Sequence, residues 1–216
     1  MGPAITWYAQ SAVRLDIGGL RVYIDPYHVP DGQPPADLIL ISHHHGDHLS
    51  PDDILRIRQA STTVVAAPTA AGQISGQIRI LVPGDSWEYG AIHVRAVPAY
   101  NVAKFRSPGV PYHPKSEAHV GFVIEADDMS FYFAADTDVI PEMEEIGPVD
   151  YAFLPVGGTF VMTPEEAAEA ARLVRPSVAI PIHYGAGAGS VDDARRFAEL
   201  VPDQVRVWIM TPAGSH

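Results

Sequence analysis

Three consecutive histidines, a glycine and an Asp-His pair, His43-His44-His45-Gly46-Asp47-His48, follow directly on the apolar run Ile39-Leu40-Ile41. Within them the pattern His-x-His-x-Asp-His holds at His43, His45, Asp47 and His48. Alternate residues of an extended backbone point the same way, so His43 and His45 share one side and His44 faces the other, in a packing or supporting role. Neutral imidazole and carboxylate are the donors that zinc and similar divalent ions take. The chemistry open to this stretch is therefore that of a metal site. A poly-His run can also be an expression tag or a solvated loop, but tags sit at termini, and this run stands inside the chain.

The elements around the run must position it. Branched apolar residues before the run read as a buried strand. Ser50-Pro51-Asp52-Asp53 behind it opens a helix, with Ser50 as N-cap and Pro51 in the first turn. The metal loop is thus braced between strand and helix. Upstream, residues 5–9, 12–16 and 21–25 read as a meander of short strands, the last closed by Asp25-Pro26. A carboxylate at that strand end can accept the second N–H of a ligating histidine and orient its ring. Downstream, strands are expected over 63–67 and 78–82, with a short helix over 69–74 between them and a hairpin over 87–97.

The second half repeats this logic. A hairpin of 120–125 and 129–135 delivers Asp136-Thr137-Asp138, and a strand over 150–156 ends in Gly157-Gly158-Thr159. Thr163-Pro164-Glu165-Glu166 is a capping box that opens a helix through Val174. A strand over 177–182 then presents His183-Tyr184-Gly185, and a helix over 191–200 and a strand over 204–210 close the chain. Three separate strand ends therefore carry candidate ligands: His43 to His48, Asp136 and His183. Between the halves, residues 102–118 show no period and hold Pro108, Gly109, Pro111 and Pro114. A long aperiodic loop in a compact domain is more often functional than idle. Its Lys104, Arg106, His113 and Lys115 are cationic or ligating groups suited to an anionic substrate.

Composition excludes several classes. With no cysteine there is neither disulfide nor thiolate chemistry. A net charge of -12 argues against a general nucleic-acid binder, whose affinity comes from a basic surface. No run approaches the roughly 18 uninterrupted apolar residues of a membrane span, and the start lacks the pattern of a signal peptide, so a cytoplasmic protein is expected. No Ser-His-Asp order or G-x-S-x-G elbow is visible.

Together, His-x-His-x-Asp-His after one strand, Ala135-Asp136-Thr137 after a later one and His183 after a third resemble the metallo-β-lactamase superfamily. Ile24-Asp25-Pro26, Asp47-His48-Leu49-Ser50-Pro51, Val97-Pro98-Ala99-Tyr100-Asn101 and Leu154-Pro155-Val156-Gly157-Gly158-Thr159 look like its small bacterial and archaeal hydrolases, near the ascorbate-phosphate lactonases and phospholipase-D-like members. The resemblance implies an α/β fold, a four-layer αββα sandwich of two mixed sheets with metals at one edge, here as a single domain over 1–216. It implies one metal site at His43, His45 and a third ligand, a second at Asp47, His48 and His183, and Asp136 bridging both. Two divalent ions are implied, zinc in the first place, with Mn, Fe or Ni acceptable to the same donors. The implied activity is hydrolysis of an ester, lactone or phosphodiester by metal-activated water. The partner is a small-molecule, anionic substrate, and the oligomeric state stays open.

Two departures mark this chain. Relatives often carry a Gly-His-Ser-like triplet where Ala9-Gln10-Ser11 stands, and many place the first site's third histidine where Tyr100-Asn101 stands. An amide oxygen is a poor zinc ligand. The proline-braced His113 is expected either to complete that site or to donate a proton to the leaving group, with Asn101 orienting it or the substrate. Asp47, Asn101 and Lys115 are the candidate catalytic residues. Two other readings stay open: a di-iron-type oxidoreductase, and a binding protein that retains metal without turnover.

Overall fold

Two mixed sheets are stacked face to face with helices outside each, the expected αββα arrangement. The computed structural model describes residues 3–185 and 187–213; the terminal Gly214-Ser215-His216, to which the sequence assigns no role, lies outside them. The first sheet runs in chain order: β1 (Ala4–Trp7), β2 (Val13–Ile17), β3 (Leu20–Ile24), β4 (Leu38–Ile41), β5 (Thr63–Ala66) and β6 (Ile78–Ile80). Its first three strands pair antiparallel and the rest parallel. The second sheet holds β7 (Ser86–Tyr89), β8 (Ile92–Pro98), β11 (Val120–Ala126), β12 (Met129–Phe133), β13 (Tyr151–Pro155), β14 (Val178–Ile182) and β15 (Arg206–Val207).

β4 explains why the layers stack. All four of its side chains are buried: Leu38 and Leu40 enter the core between the sheets, whereas Ile39 and Ile41 join an outer cluster. That outer cluster includes Ile54 and Ile57 of α1 (Pro51–Ile57) and Ala70 of α2 (Pro68–Ala71). A strand apolar on both faces has to be covered on both, which is the sense of its continuous hydrophobic run. On the other side α3 (Pro164–Val174) and α4 (Val191–Leu200) pack Ala167, Ala171, Val174 and Phe197 toward Phe153 and Ile180 of the second sheet. The expected caps form: Ser50 accepts from the Asp53 N–H, and Thr163 and Glu166 make the reciprocal capping box.

The structure differs from expectation in three elements. The helix expected over 69–74 is the single turn α2, ended at Gly72. The closing strand expected over 204–210 shrinks to β15, because it pairs only with β14 and leaves the sheet after Trp208 donates to the Ala179 carbonyl. The aperiodic segment 102–118 is not structureless: β9 (Phe105–Ser107) pairs with β10 (Val110–Pro111), and a 3-10 turn spans Lys115–Glu117. Its short strands are mostly exposed, which is why no buried periodicity marked them. No helix among the described residues is long and apolar enough to cross a membrane.

Candidate metal centre

The loops that leave the C-terminal ends of β3, β4, β8, β12 and β14 converge at one edge of the sandwich, where α/β sheets commonly place their ligands. β4 leads to His43, His45, Asp47 and His48; β12 leads to Asp136; β14 leads to His183. Two triads form there, each with its ligand atoms within 4.8 Å of one another: His43, His45 and His113, and Asp47, His48 and His183. Asp136 lies between them, its Oδ1 3.1 Å from His48 Nε2 and its Oδ2 3.3 Å from both His113 Nε2 and His183 Nε2. The structure thus brings together all seven residues expected as ligands.

Supporting contacts aim each ring. The buried Asp25 carboxylate takes His48 Nδ1 at 2.8 Å and the Ser42 N–H at 2.7 Å, so His48 turns its Nε2 inward. Ser42 Oγ lies 2.9 Å from His43 Nδ1 and does the same for that ring. Asn101 is the corresponding device for His113. Its Oδ1 accepts the His113 backbone N–H at 2.9 Å and faces His113 Nδ1 at 2.7 Å, which places the ring proton on Nδ1 and leaves the Nε2 lone pair for the cluster. Asn101 Nδ2 is itself held by Asp138 and the Phe160 carbonyl, each at 3.1 Å. Asn101 therefore orients a ligand, and its amide stands outside the ligand set.

Asp138, which sequence reasoning left without a role, builds the segment that carries His113. Its carboxylate accepts the N–H groups of Val102, Ala103 and Lys104 as well as Asn101 Nδ2. The only sequence signal was a second Asp at the end of β12, and its partners lie more than 30 residues away.

The cationic groups expected to meet an anion do not gather here. Lys104 is matched by Glu166 at 2.6 Å, and Arg106 lies over the Tyr112 ring at 5.6 Å. Lys115 corrects the expectation most clearly: its ammonium bonds Glu142 at 2.8 Å and Tyr100 Oη at 3.3 Å, and it lines a separate cavity with Pro83, Pro98 and His119. The cavity at the cluster, about 180 Å³, is walled instead by Tyr112 and Phe160, whose rings meet edge-on at 4.8 Å, with His45, Asp47, His113 and Asp136 at its floor. The sequence alone singles out neither aromatic: Tyr112 lies in the aperiodic segment 102–118 and Phe160 directly follows Gly157-Gly158-Thr159.

Polar atoms in the cluster are arranged as donors around an ion rather than as a closed hydrogen-bond network. His43 Nε2 and His113 Nε2 face His45 Nδ1 at 3.2 and 3.1 Å, and His48 Nε2, Asp136 Oδ1 and His183 Nε2 are buried with no aligned hydrogen-bond partner among the described residues. Buried polar groups are rarely left so, and the donor types suit a divalent cation. The residues fit such ions.

The charges divide in two. Burial pushes the His43 imidazole well below its ordinary value, and burial with the neighbouring His113 brings His45 down to about 4, so these two rings are neutral. Burial also disfavours charge on His48 and His183, but Asp136 outweighs it in both, helped by Asp25 at His48 and by Asp47 at His183. His48 is held well above its ordinary value and His183 is pushed up to about 9. In the metal-free protein folding therefore favours protonated His183, whose stabilisation is fully present below its ordinary value of 6.5 and is lost as pH rises through about 9. His45 acts in the opposite sense, its contribution being lost as pH falls from 6.5 through about 4. Chelated protein should melt highest near pH 6.5 and lower at pH 9.5, and Asp136→Asn should flatten the alkaline limb. A chelated wild type whose melting is level from pH 6.5 to 9.5 would refute this.

Backbone strain marks the same edge. Asp25, Ala135 and His183 all sit in the left-handed region, with φ of 45, 57 and 58°. Such residues cost about 1–3 kcal/mol each and persist where surrounding structure holds them. At His183 the hold comes from the Gln10 carbonyl, which accepts its N–H at 2.8 Å, and from Gly157, where a Cβ would lie 2.5 Å from the His183 carbonyl oxygen.

Comparison with known proteins gives the family and the fold. Residues 4–183 match the beta-lactamase superfamily domain. The chain is 32% identical to a UPF0173 metal-dependent hydrolase of Methanopyrus kandleri over 98% of each chain, and 34% identical to one of Thermococcus onnurineus over 91% of each. A crystal structure from Parabacteroides distasonis, 31% identical, superposes with a TM-score of 0.87 over 97% of this chain and 93% of that one.

Proposed function

The chain belongs to the beta-lactamase superfamily and is a relative of its metal-dependent hydrolases, and from that premise we propose a binuclear enzyme that hydrolyses a small ester, lactone or phosphodiester. The observation that carries the reading is the convergence of two triads of imidazole and carboxylate donors on Asp136, beside an aromatic-walled cavity that His45, Asp47, His113 and Asp136 line. His43, His45 and His113 would hold one divalent cation and Asp47, His48 and His183 the other, with Asp136 shared. Zinc suits the donors; Mn, Fe or Ni would also be accepted. When bound, the cations supply Lewis acidity and bring the pKa of water into the neutral range.

The chain's own residues do the rest. Asp136 keeps its negative charge between the two triads, since His183 and His48 hold it well below the usual carboxylate range despite burial. Asp47, lowered by the same two histidines and part exposed at the cavity, is ionised at neutral pH and placed to take a proton from attacking water. Asp25, Ser42 and Asn101 keep the imidazoles aimed. Tyr112 and Phe160 seat the substrate and exclude solvent, and the cavity volume suits a small substrate. With His113 as its third ligand the first site would be complete, which weakens the reading of a binding protein without turnover. A di-iron oxidoreductase is not favoured by a ligand set with two carboxylates.

Purified protein, stripped and then reloaded with zinc sulfate, should hydrolyse members of a panel of p-nitrophenyl esters, lactones and bis-p-nitrophenyl phosphate only in the loaded form. Turnover indifferent to stripping would defeat the proposal. Within the active class, Tyr112→Ala and Phe160→Ala should raise KM about tenfold each, about 1.4 kcal/mol, and leave kcat within a few-fold. Lys115→Ala should leave both constants unchanged, because its charge is spent on Glu142.

A further inference from the structure

Beside the two triads stands a third group of donors that neither uses. His44 lies in the loop after β4, Glu117 ends the 3-10 turn and His119 immediately precedes β11, and their ligand atoms all lie within 4.8 Å of one another. The His44 and His119 rings are 5.5 Å apart, and His119 Nε2 is 2.9 Å from Glu117 Oε2. We propose that His44, Glu117 and His119 form a separate, exchangeable site for one divalent cation of the zinc class.

The observation that points to a ligand is His119 itself. Its side chain is 1% exposed, and neither ring nitrogen has an aligned hydrogen-bond partner among the described residues. Glu117 Oε2 is near Nε2 but off the N–H line, so the contact does not satisfy the ring. His44 Nδ1 is likewise buried and unpartnered. Two imidazole nitrogens and one carboxylate oxygen are a common donor set for zinc, with a fourth position left to water.

The frame is rigid where the site needs it. The Ala99 N–H donates to the His119 carbonyl, and the Val120 N–H donates to the Ser42 carbonyl, which ties the start of β11 to the loop that carries His44. Ala118, between the two other donors, takes the left-handed conformation with φ 52° and ψ 41°. Glu117 is part exposed, so an ion here has a path to solvent, unlike one among His43, His48 and Asp136. His44, read from sequence as a supporting residue pointing away from the metals, faces this group.

The test is a zinc titration of the full-length chain against a chromophoric chelator, with bound metal counted by mass spectrometry. Glu117→Gln and His44→Gln should each lose one equivalent, the weakest, and keep the tighter ones; both side chains are part exposed, so the fold should survive, and melting temperature checks it. Asp136→Asn should keep the equivalent that these two variants lose. Wild-type stoichiometry and affinities in Glu117→Gln and His44→Gln would overturn the proposal. So would simultaneous loss of all bound metal in folded variants, which would assign these residues to the neighbouring centre.

Discussion

Asp136→Asn is expected to reduce kcat/KM by about a thousandfold or more, some 4 kcal/mol in transition-state terms, and to release at least one metal equivalent while the protein stays folded. The size follows from position. Asp136 lies between the two triads, 3.1 Å from His48 and 3.3 Å from His113 and His183. Asparagine keeps the shape and removes the charge, so two cations would face each other across a neutral amide in a buried pocket, where charge repulsion is little screened. The fold should tolerate the change, since Ala134 and Ala135, which lead into Asp136, remain packed in the main core. Metal content and turnover are measured on the same preparation. Full activity with two metals would reduce Asp136 to a turn residue.

How much of this site the sequence reveals depends on how local each cause is. His43, His45, Asp47 and His48 are legible because they stand within six residues directly after one buried strand and so leave the same sheet edge. Asp136 and His183 are legible because each follows a buried run that ends abruptly in a polar residue. Asp25 is legible by chemistry, as a carboxylate at a strand end with a histidine to orient, and it does bond His48. What stays hidden is set by long-range pairing. The cationic character of segment 102–118 suggested an anion site, yet Lys104 is matched by Glu166 and Lys115 by Glu142, partners 62 and 27 residues away. Asp138 is hidden for the same reason. The left-handed backbone at Asp25, Ala135 and His183 is hidden because no glycine marks it; packing imposes it on residues that would avoid it alone.

His113→Ala should remove one metal equivalent and depress turnover about a hundredfold or more, leaving Asp47, His48 and His183 with their ion. The alternative role, proton donation to a leaving group, would lower turnover with both metals retained. The geometry separates the two. His113 is 1% exposed, its Nε2 points at His45 Nδ1 and Asp136, and its Nδ1 is occupied by Asn101, so no nitrogen is free to meet a leaving group at the cavity mouth. Asn101 then supplies an independent check. Because its oxygen takes both N–H groups of His113, Asn101→Ala should free the ring to rotate and weaken that metal by about 10–100-fold, the range typical when the partner of a ligating histidine is lost. Saturating metal should restore the full count in Asn101→Ala but not in His113→Ala. Equal rescue of both variants, or two tightly held metals in His113→Ala, would remove His113 from the ligand set and leave the first site completed by some other group.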